Sequence, residues 1–418
     1  MTAANAHGPL AGTRIIDLSA MLSGPWATMI LGDQGADVIK VEPPDRGDHT
    51  RALGNRRGGL PANFLNINRS KRSVTIDLKR PEGRDLLLRL TRTADVVVQN
   101  FRPGVVERLR IAEPDLRAVN PTLIYMSISG FGETGPYAGK PAYDPVIQAL
   151  SGLTTVQAGS DDARPRLVRT VLPDKLTGIT AAQAITAALL ARARTGEGQH
   201  VRLSMLDAVL SFLWASDMGA QTYLHDPPDN QRAASFIDLI YQTADGYMTV
   251  AVMTDKEWAG LARAFGRPEL VEDPLFATPA QRDRHVDERL ALTQETLRAR
   301  TTAEWLDVLE CEGVPCAPAL TRAEVVRHPQ VEASGILFET DHPAAGRLRQ
   351  TRSAARFEAT PASHARGAPL LGEHTDEVLA ELGLTAGEIA GLRAAGVIGA
   401  DGAGPADDEP QPEAAQRR

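Results

Sequence analysis

Between residues 13 and 130 short apolar runs alternate with helical patterns, and few architectures accept such a chain. Ile15, Ile16 and Leu18 predict a first strand. Gly24, Pro25 and WATMILGDQGA predict a helix that ends near Gly35. Val38, Ile39 and Val41 predict a second strand, followed by a polar Gly- and Arg-rich loop from Pro43 to Arg72. Val74 and Ile76 predict a third strand, and Pro81 opens a helix carrying Leu86, Leu87 and Leu90. Val96 to Val98 predict a fourth strand, and Leu123 to Met126 a fifth. Strands alternating with helices imply an α/β fold with a parallel sheet covered on both faces, and ligands of such sheets bind beyond the carboxyl ends of the strands.

The stretch from Leu167 to Leu210 repeats this logic around one acidic residue. Leu167, Val168, Val171 and Leu172 form a short apolar run, read as a strand and broken by Pro173. Asp174 then precedes a helical pattern of Leu176, Ile179, Ala182, Ile185 and Leu189, with Gly196 as its stop. Val201, Leu203 and Met205 alternate as a strand, and Ser204 with Asp207 resembles a capping box. A carboxylate at such a turn meets orphan N–H groups and the positive end of a helix dipole, which would lower its pKa and keep it ionised. Two roles are open to Asp174: a helix cap, or a nucleophile toward an activated carbonyl.

The net charge of −8 argues against a nucleic-acid partner, while local basic clusters leave room for an anionic ligand. Cys311 and Cys316 are the two cysteines, too few for a disulfide or zinc framework. The nine histidines are scattered, so no metal site is expected. The start MTAANAHGPLAGTR lacks a signal-peptide pattern, and no run reaches the length of a membrane span. A soluble cytoplasmic protein without a membrane partner is the expectation.

From about Leu224 the texture changes, and HDPPDNQRAAS looks like a linker. A strand at Tyr247 to Val252 and helices around Glu257 to Phe265, Arg282 to Arg300 and Ala303 to Glu312 indicate a smaller α/β domain. Short helices at Asp376 to Leu382 and Ala386 to Ala395 close the ordered chain. The expected organisation is a large domain over 1–224, a small domain over 225–328, a return to the large domain over 329–398, and a disordered tail over 399–418.

GFGETG at 130–135 matches G-x-G-x-x-G, but Pro136, Gly139 and Pro141 forbid the helix a dinucleotide site needs, so it reads as a loop. Arg46, Arg51, Arg56, Arg57, Arg69, Lys71, Arg72, Lys79, Arg102 and Arg108 gather near predicted strand ends, either as a solvated rim or as a phosphate site. Asn100, Phe101 and Arg102 follow the fourth strand and suit a nucleotide-like ligand.

Taken together, DLSAMLSGPWATMILGDQGADVIKVEPPDRGDHTR, KRSVTIDLKRPEGRDLLLRL, ADVVVQNFRPGVVERL, NPTLIYMSISGFGETGPY, RTGEGQHVRLSMLDA and LGEHTDEVL resemble the class III coenzyme A transferase family, the group of formyl-CoA transferase, carnitine-CoA transferases and α-methylacyl-CoA racemases. The resemblance spans Leu10 to about Val397. It implies a large doubly wound, Rossmann-like domain built from both chain ends, a small α/β domain between them, and two subunits interlocked as rings in a homodimer. It also implies that the family's catalytic aspartate falls on Asp174. Coenzyme A or acyl-CoA, as substrate and not as a tightly bound cofactor, would lie against Leu22, Ser23, Leu78, Lys79, Asn100, Phe101, Arg102, Arg108, Lys140 and Tyr143. The second partner would be a small carboxylic acid.

Departures from the family pattern narrow the reading. The racemase branch carries a His where this chain has Tyr143, and a phenol with a pKa near about 10 is a poor group for proton exchange at neutral pH. Formyl-CoA transferases carry a Gln at Leu22 and a glycine-rich lid where this chain reads AASFIDLIYQTADGYM. Pro43 stands where relatives carry a basic residue. The resemblance therefore implies transfer of CoA to a carboxylic acid by covalent catalysis; an acyl-CoA racemase or epimerase, or a CoA-binding protein without turnover, remain as alternatives. Arg166 and Arg169 are either surface arginines or contacts for a second carboxylate.

Overall fold

The computed structural model describes residues 7–225, 237–362, 364 and 366–399. The greater part of the expected linker, and the tail beyond 399, lie outside the described residues. The chain divides into two compact units. The first takes residues up to Thr154, Leu167–Phe212, and the chain from Gly335 onward; the second takes Thr155–Arg166 and Leu213–Ser334. The second unit thus starts before residue 225 and also claims a short segment ahead of Asp174.

The first unit is built on a six-stranded sheet. Its strands are β1 (Arg14–Asp17), β2 (Asp37–Glu42), β3 (Lys71–Thr75), β4 (Val96–Gln99), β5 (Ile124–Ser129) and β6 (His200–Ser204). Every neighbouring pair is parallel, and the order is β3-β2-β1-β4-β5-β6. That is the Rossmann order, whose switch point lies between β1 and β4.

The strands are apolar on both faces because both are covered. Ile15, Val38, Val96, Val98, Ile124 and Met126 face one core, with Ala27 and Leu31 of helix α1 (Ser23–Asp33). Ile16, Ile39, Val97 and Tyr125 face the other, with Leu86, Leu87 and Leu90 of helix α2 (Pro81–Thr91). Helix α3 (Asp144–Leu150) and the long helix α4 (Leu172–Thr195) follow β5. Ala181, Ala182, Ile185 and Ala188 of α4 complete the first core. By length and composition α4 could cross a membrane, but this buried row marks it as a core helix of the sheet. Near the chain end, helices α5 (Thr375–Glu381) and α6 (Ala386–Ala394) lend Val378, Leu379 and Ile389 to the second core.

Three expectations need correction. The run Leu167 to Leu172 is not a strand; it leads directly into α4, whose N-cap is Val171. Pro43 to Arg72 is not one loop. It holds a short helix at Ala62–Asn68, a small hairpin, and the first residues of β3. Beyond Pro329 the chain forms an antiparallel hairpin of Leu337–His342 with Gly346–Thr351, a stretch whose sequence carries no clear strand pattern.

The second unit has its own core. A three-stranded antiparallel sheet of Ile240–Gln242, Tyr247–Val250 and Cys316–Pro318 buries Tyr241, Met248 and Val250 against Trp258, Leu261, Trp305 and Leu309. The helix expected over 282–300 is two, Pro279–Arg284 and Val286–Leu297, meeting at His285.

Candidate active site

A cavity of about 1140 Å3 opens at the carboxyl ends of the strands, on both sides of the switch point. Ser23, Leu78, Lys79, Asn100, Phe101, Arg102, Arg108, Lys140, Tyr143 and Asp174 all line it. Leu22 is not in the lining; it stands one residue before α1 as its N-cap. Arg169 is exposed in the first unit, and Arg166 belongs to the second.

The loop from β1 to α1 forms one wall, and buried side chains hold its backbone residue by residue. Asp17 accepts from the N–H and the hydroxyl of Ser19. The Ser19 carbonyl accepts from Lys40 Nζ at 2.8 Å. Ala20 is held at both ends by Asn100, which accepts its N–H at 2.9 Å and donates to its carbonyl at 2.7 Å. Met21 sits at φ 68°, a strained angle for a side chain of its kind, and donates its N–H to Asp48 at 3.1 Å. A Cβ on Gly24 would stand 2.3 Å from the Ser19 side chain, so only glycine lets the helix start here. The Asn100 amide, expected to meet a nucleotide, is spent on this loop.

Beneath the loop lies a set of paired charges. Lys71 meets Asp17 at 3.0 Å and also donates to the Pro25 carbonyl and Asn68. Lys40 pairs with Asp48 at 2.9 Å, both fully buried. Burial alone would push the Asp17 carboxyl up, yet Lys71 and Lys40 hold it far below the usual range. Arg51 pairs with Glu42, Arg69 with Asp33, and Arg72 with Asp37, Glu377 and Glu381. A solvated rim and a phosphate site were the two readings open to these cations; each is instead committed to a buried or half-buried carboxylate. Lys79, Arg102 and Arg108 remain exposed on the cavity wall without an ion pair among the described residues. Lys140 lies over the Tyr137 ring at 3.4 Å.

Asp174 is in the first turn of α4, not at its cap. Close packing of α4 on α1 brings it to the loop: a Cβ on Gly178 would be 2.6 Å from the Trp26 ring and 2.8 Å from the Ser23 carbonyl. The Ser23 backbone N–H faces the Asp174 carboxylate and favours its anion. That one donor does not decide the outcome. Burial first, then the like charge of Asp144, push the Asp174 carboxyl up to about 6, the reverse of the lowering expected from a helix dipole. Asp144 begins α3 and accepts the Asp174 N–H at 3.3 Å. Burial pushes the Asp144 carboxyl up as well, against hydrogen bonds from Gln148 and the Asp174 backbone. Asp144 is not among the residues that sequence reasoning selects; the signal available was an acidic residue before Pro145, at the start of a helix.

Comparisons with known proteins identify the family. The model of CoA-transferase family III matches residues 10–375. A succinate–glutarate CoA-transferase of Agrobacterium fabrum is 37% identical over 90% of this chain and 96% of its own length. An acetyl-CoA:oxalate CoA-transferase of Acetobacter aceti is 37% identical over 81% of this chain and 88% of its own. Among solved structures, a CAIB/BAIF family protein from Brucella suis superposes with a TM-score of 0.78 at 35% identity, covering 90% of this chain and all of that one. The chain belongs to CoA-transferase family III and is a CoA-transferase.

Proposed function

We propose that this enzyme moves CoA from an acyl-CoA donor to a free carboxylic acid through acyl intermediates on Asp174. The observation that carries this reading is a carboxylate of raised basicity in the same cavity as three cations without an ion pair among the described residues. Raised basicity makes a better nucleophile, and a value of about 6 leaves Asp174 ionised at neutral pH. Ionisation of this carboxylate is costly, through burial first and Asp144 second, by on the order of 3 kcal/mol for a rise from 3.8 to about 6. Acylation removes that charge, so the covalent intermediate relieves a strain that the free enzyme carries.

Atoms and charge balance at each step. An Asp174 oxygen attacks the donor carbonyl, the C–S bond breaks, and a mixed anhydride forms with CoA thiolate. The thiolate attacks the aspartyl carbonyl and releases the donor acid, leaving an aspartyl-CoA thioester. The acceptor carboxylate attacks that thioester and expels CoA thiolate again. The thiolate then takes the acceptor acyl group, and Asp174 is free. The Ser23 N–H, already facing the carboxylate, can stabilise charge on its oxygens during each attack. Lys79, Arg102 and Arg108 would meet the anionic phosphates of CoA. The names of the relatives from A. fabrum and A. aceti make dicarboxylic acids the first acceptors to try.

We also infer a homodimer. Its support is apolar surface on the first unit: Val146 and Leu150 on α3, with Ile179 and Leu190 on α4, are each about half exposed. Light scattering on the purified chain measures this directly.

Hydroxylamine trapping tests the mechanism. With acyl-CoA present, the wild type should yield a hydroxamate at position 174, found by peptide mass spectrometry. Transfer without any mark there ends the covalent reading. Solvent deuterium entering an acyl-CoA without an acceptor acid would point to racemisation instead, and CoA binding without exchange to a non-catalytic protein.

A further inference from the structure

Gln148 lies one turn after Asp144 on α3, is 2% exposed, and uses its whole amide. Its Nε2 donates to Asp144 Oδ1 at 2.6 Å and to the carbonyls of Val168 and Thr170 at 3.3 and 3.2 Å. Its Oε1 accepts the Val168 N–H at 2.9 Å. The other oxygen of Asp144, Oδ2, takes the Asp174 N–H. One amide therefore ties the carboxylate beside Asp174 to the segment that leads into the first turn of α4. A buried amide gains little net stability from such bonds, and any bond left unmade is costly. An apolar side chain of similar volume would leave Asp144 Oδ1, the Val168 N–H and the Val168 and Thr170 carbonyls without this partner, so the amide fixes these groups in one arrangement.

We propose that Gln148 is a positioning residue: it keeps Asp144 anionic and aimed at the Asp174 backbone, and pins residues 168–170 to α3, so fixing where the Asp174 carboxylate stands and how readily it ionises. The inference rests on the reading of Asp174 as the nucleophile. A hydrogen bond donated to a carboxylate favours its charged form, and that charge in turn opposes ionisation of its neighbour. Other groups face the pair as well. Lys175 of α4 lies beside Asp144, with its Nζ on the Thr170 hydroxyl at 2.8 Å. The Ser23 N–H faces Asp174 from the start of α1. Lys140 and Tyr143, from the chain ahead of α3, line the same cavity. Of all these, Gln148 is the group that contacts both the Asp144 carboxylate and the 168–170 backbone.

The test is Gln148→Met in the full-length enzyme, with circular dichroism and thermal unfolding to establish that it folds. Rates of CoA exchange are then followed from pH 5 to 8. KM for acyl-CoA should stay within about twofold, and kcat should fall on the order of tenfold as the nucleophile loses its fixed position. The acid limb of kcat/KM should move to lower pH, because Asp144 takes up a proton more readily and stops opposing Asp174. In an Asp144→Asn background the same substitution should move the limb no further. A folded Gln148→Met with unchanged kcat and limb overturns the proposal, as does an equal shift in the Asp144→Asn background. If Gln148→Met does not fold, Gln148→Asn takes its place, with the same rates and limb expected and the same results overturning the proposal. Trapping on the wild type separates the two levels. An adduct at position 174 with unaltered Gln148 variants removes only this inference, whereas no adduct there removes the reading beneath it.

Discussion

Asp17 and Asp174 are two acids held by the same domain, the first buried beneath the β1–α1 loop and the second on the cavity wall, and they are displaced in opposite directions. Burial raises both. Asp17 has two lysines beside it and is driven far below the ordinary carboxylate range. Asp174 has a second carboxylate beside it and rises to about 6. Depth therefore does not decide what a buried acid does; the sign of its neighbour does. The first arrangement stabilises a loop. The second stores unfavourable charge at the residue proposed as nucleophile, an arrangement that gives up stability for chemistry.

This contrast can be broken experimentally. The largest effect is expected from Asp174→Asn, which should reduce CoA exchange by at least about a thousandfold, since it removes the oxygen nucleophile of the proposed acyl transfer. Circular dichroism should show the fold intact. Next in size is Lys71→Met, which strands Asp17 without its 3.0 Å partner and should destabilise the protein by about 3–5 kcal/mol in denaturant unfolding at pH 7. Its penalty should shrink on acidification, because the stability contributed by Asp17 is present above its unfolded pKa and is lost as pH falls toward its depressed folded value.

The stability of Asp174→Asn should show the opposite sign. A carboxyl raised on folding contributes stability that is present at low pH and lost as pH rises through about 6. The variant should therefore be more stable than wild type at pH 8, by on the order of 1–3 kcal/mol allowing for solvent at the site, and equal to it near pH 4. Equal stabilities at both pH values would refute the strained-charge account. The smallest effect belongs to Asp144→Asn. With the opposing charge gone, the acid limb of kcat/KM, expected near pH 6 in the wild type, should move down toward the ordinary carboxylate range.

The same contrast explains which parts were legible in the sequence. The central strands β1, β2, β4 and β5 were visible because apolar runs buried on two faces leave a local signal. The start of β3 was not, because Lys71 and Arg72 read as the end of a polar loop and Ser73 adds no apolar signal. They are fully or nearly buried only because Asp17, Asp37 and Glu42, remote in sequence, neutralise or hydrogen-bond them. The basic cluster misleads for the same reason. Ten cations stand near strand ends in the sequence, but several are already committed to carboxylates, while Lys79, Arg102 and Arg108 stand on the cavity wall without an ion pair among the described residues. Asp174 was legible through the helical pattern that follows it, whereas Asp144 and Gln148 give no comparable local sign.

By itself the sequence determined the alternation of strands and helices, the parallel sheet they imply, and the acidic residue near the start of the long helix, because periodicity and helix-start chemistry are written over spans of a few residues. Tertiary structure alone decided the protonation of that acid. Thirty residues of chain separate Asp144 from Asp174, and only the packing of α3, α4 and the β1–α1 loop brings their charges together out of water, where electrostatic repulsion is no longer screened.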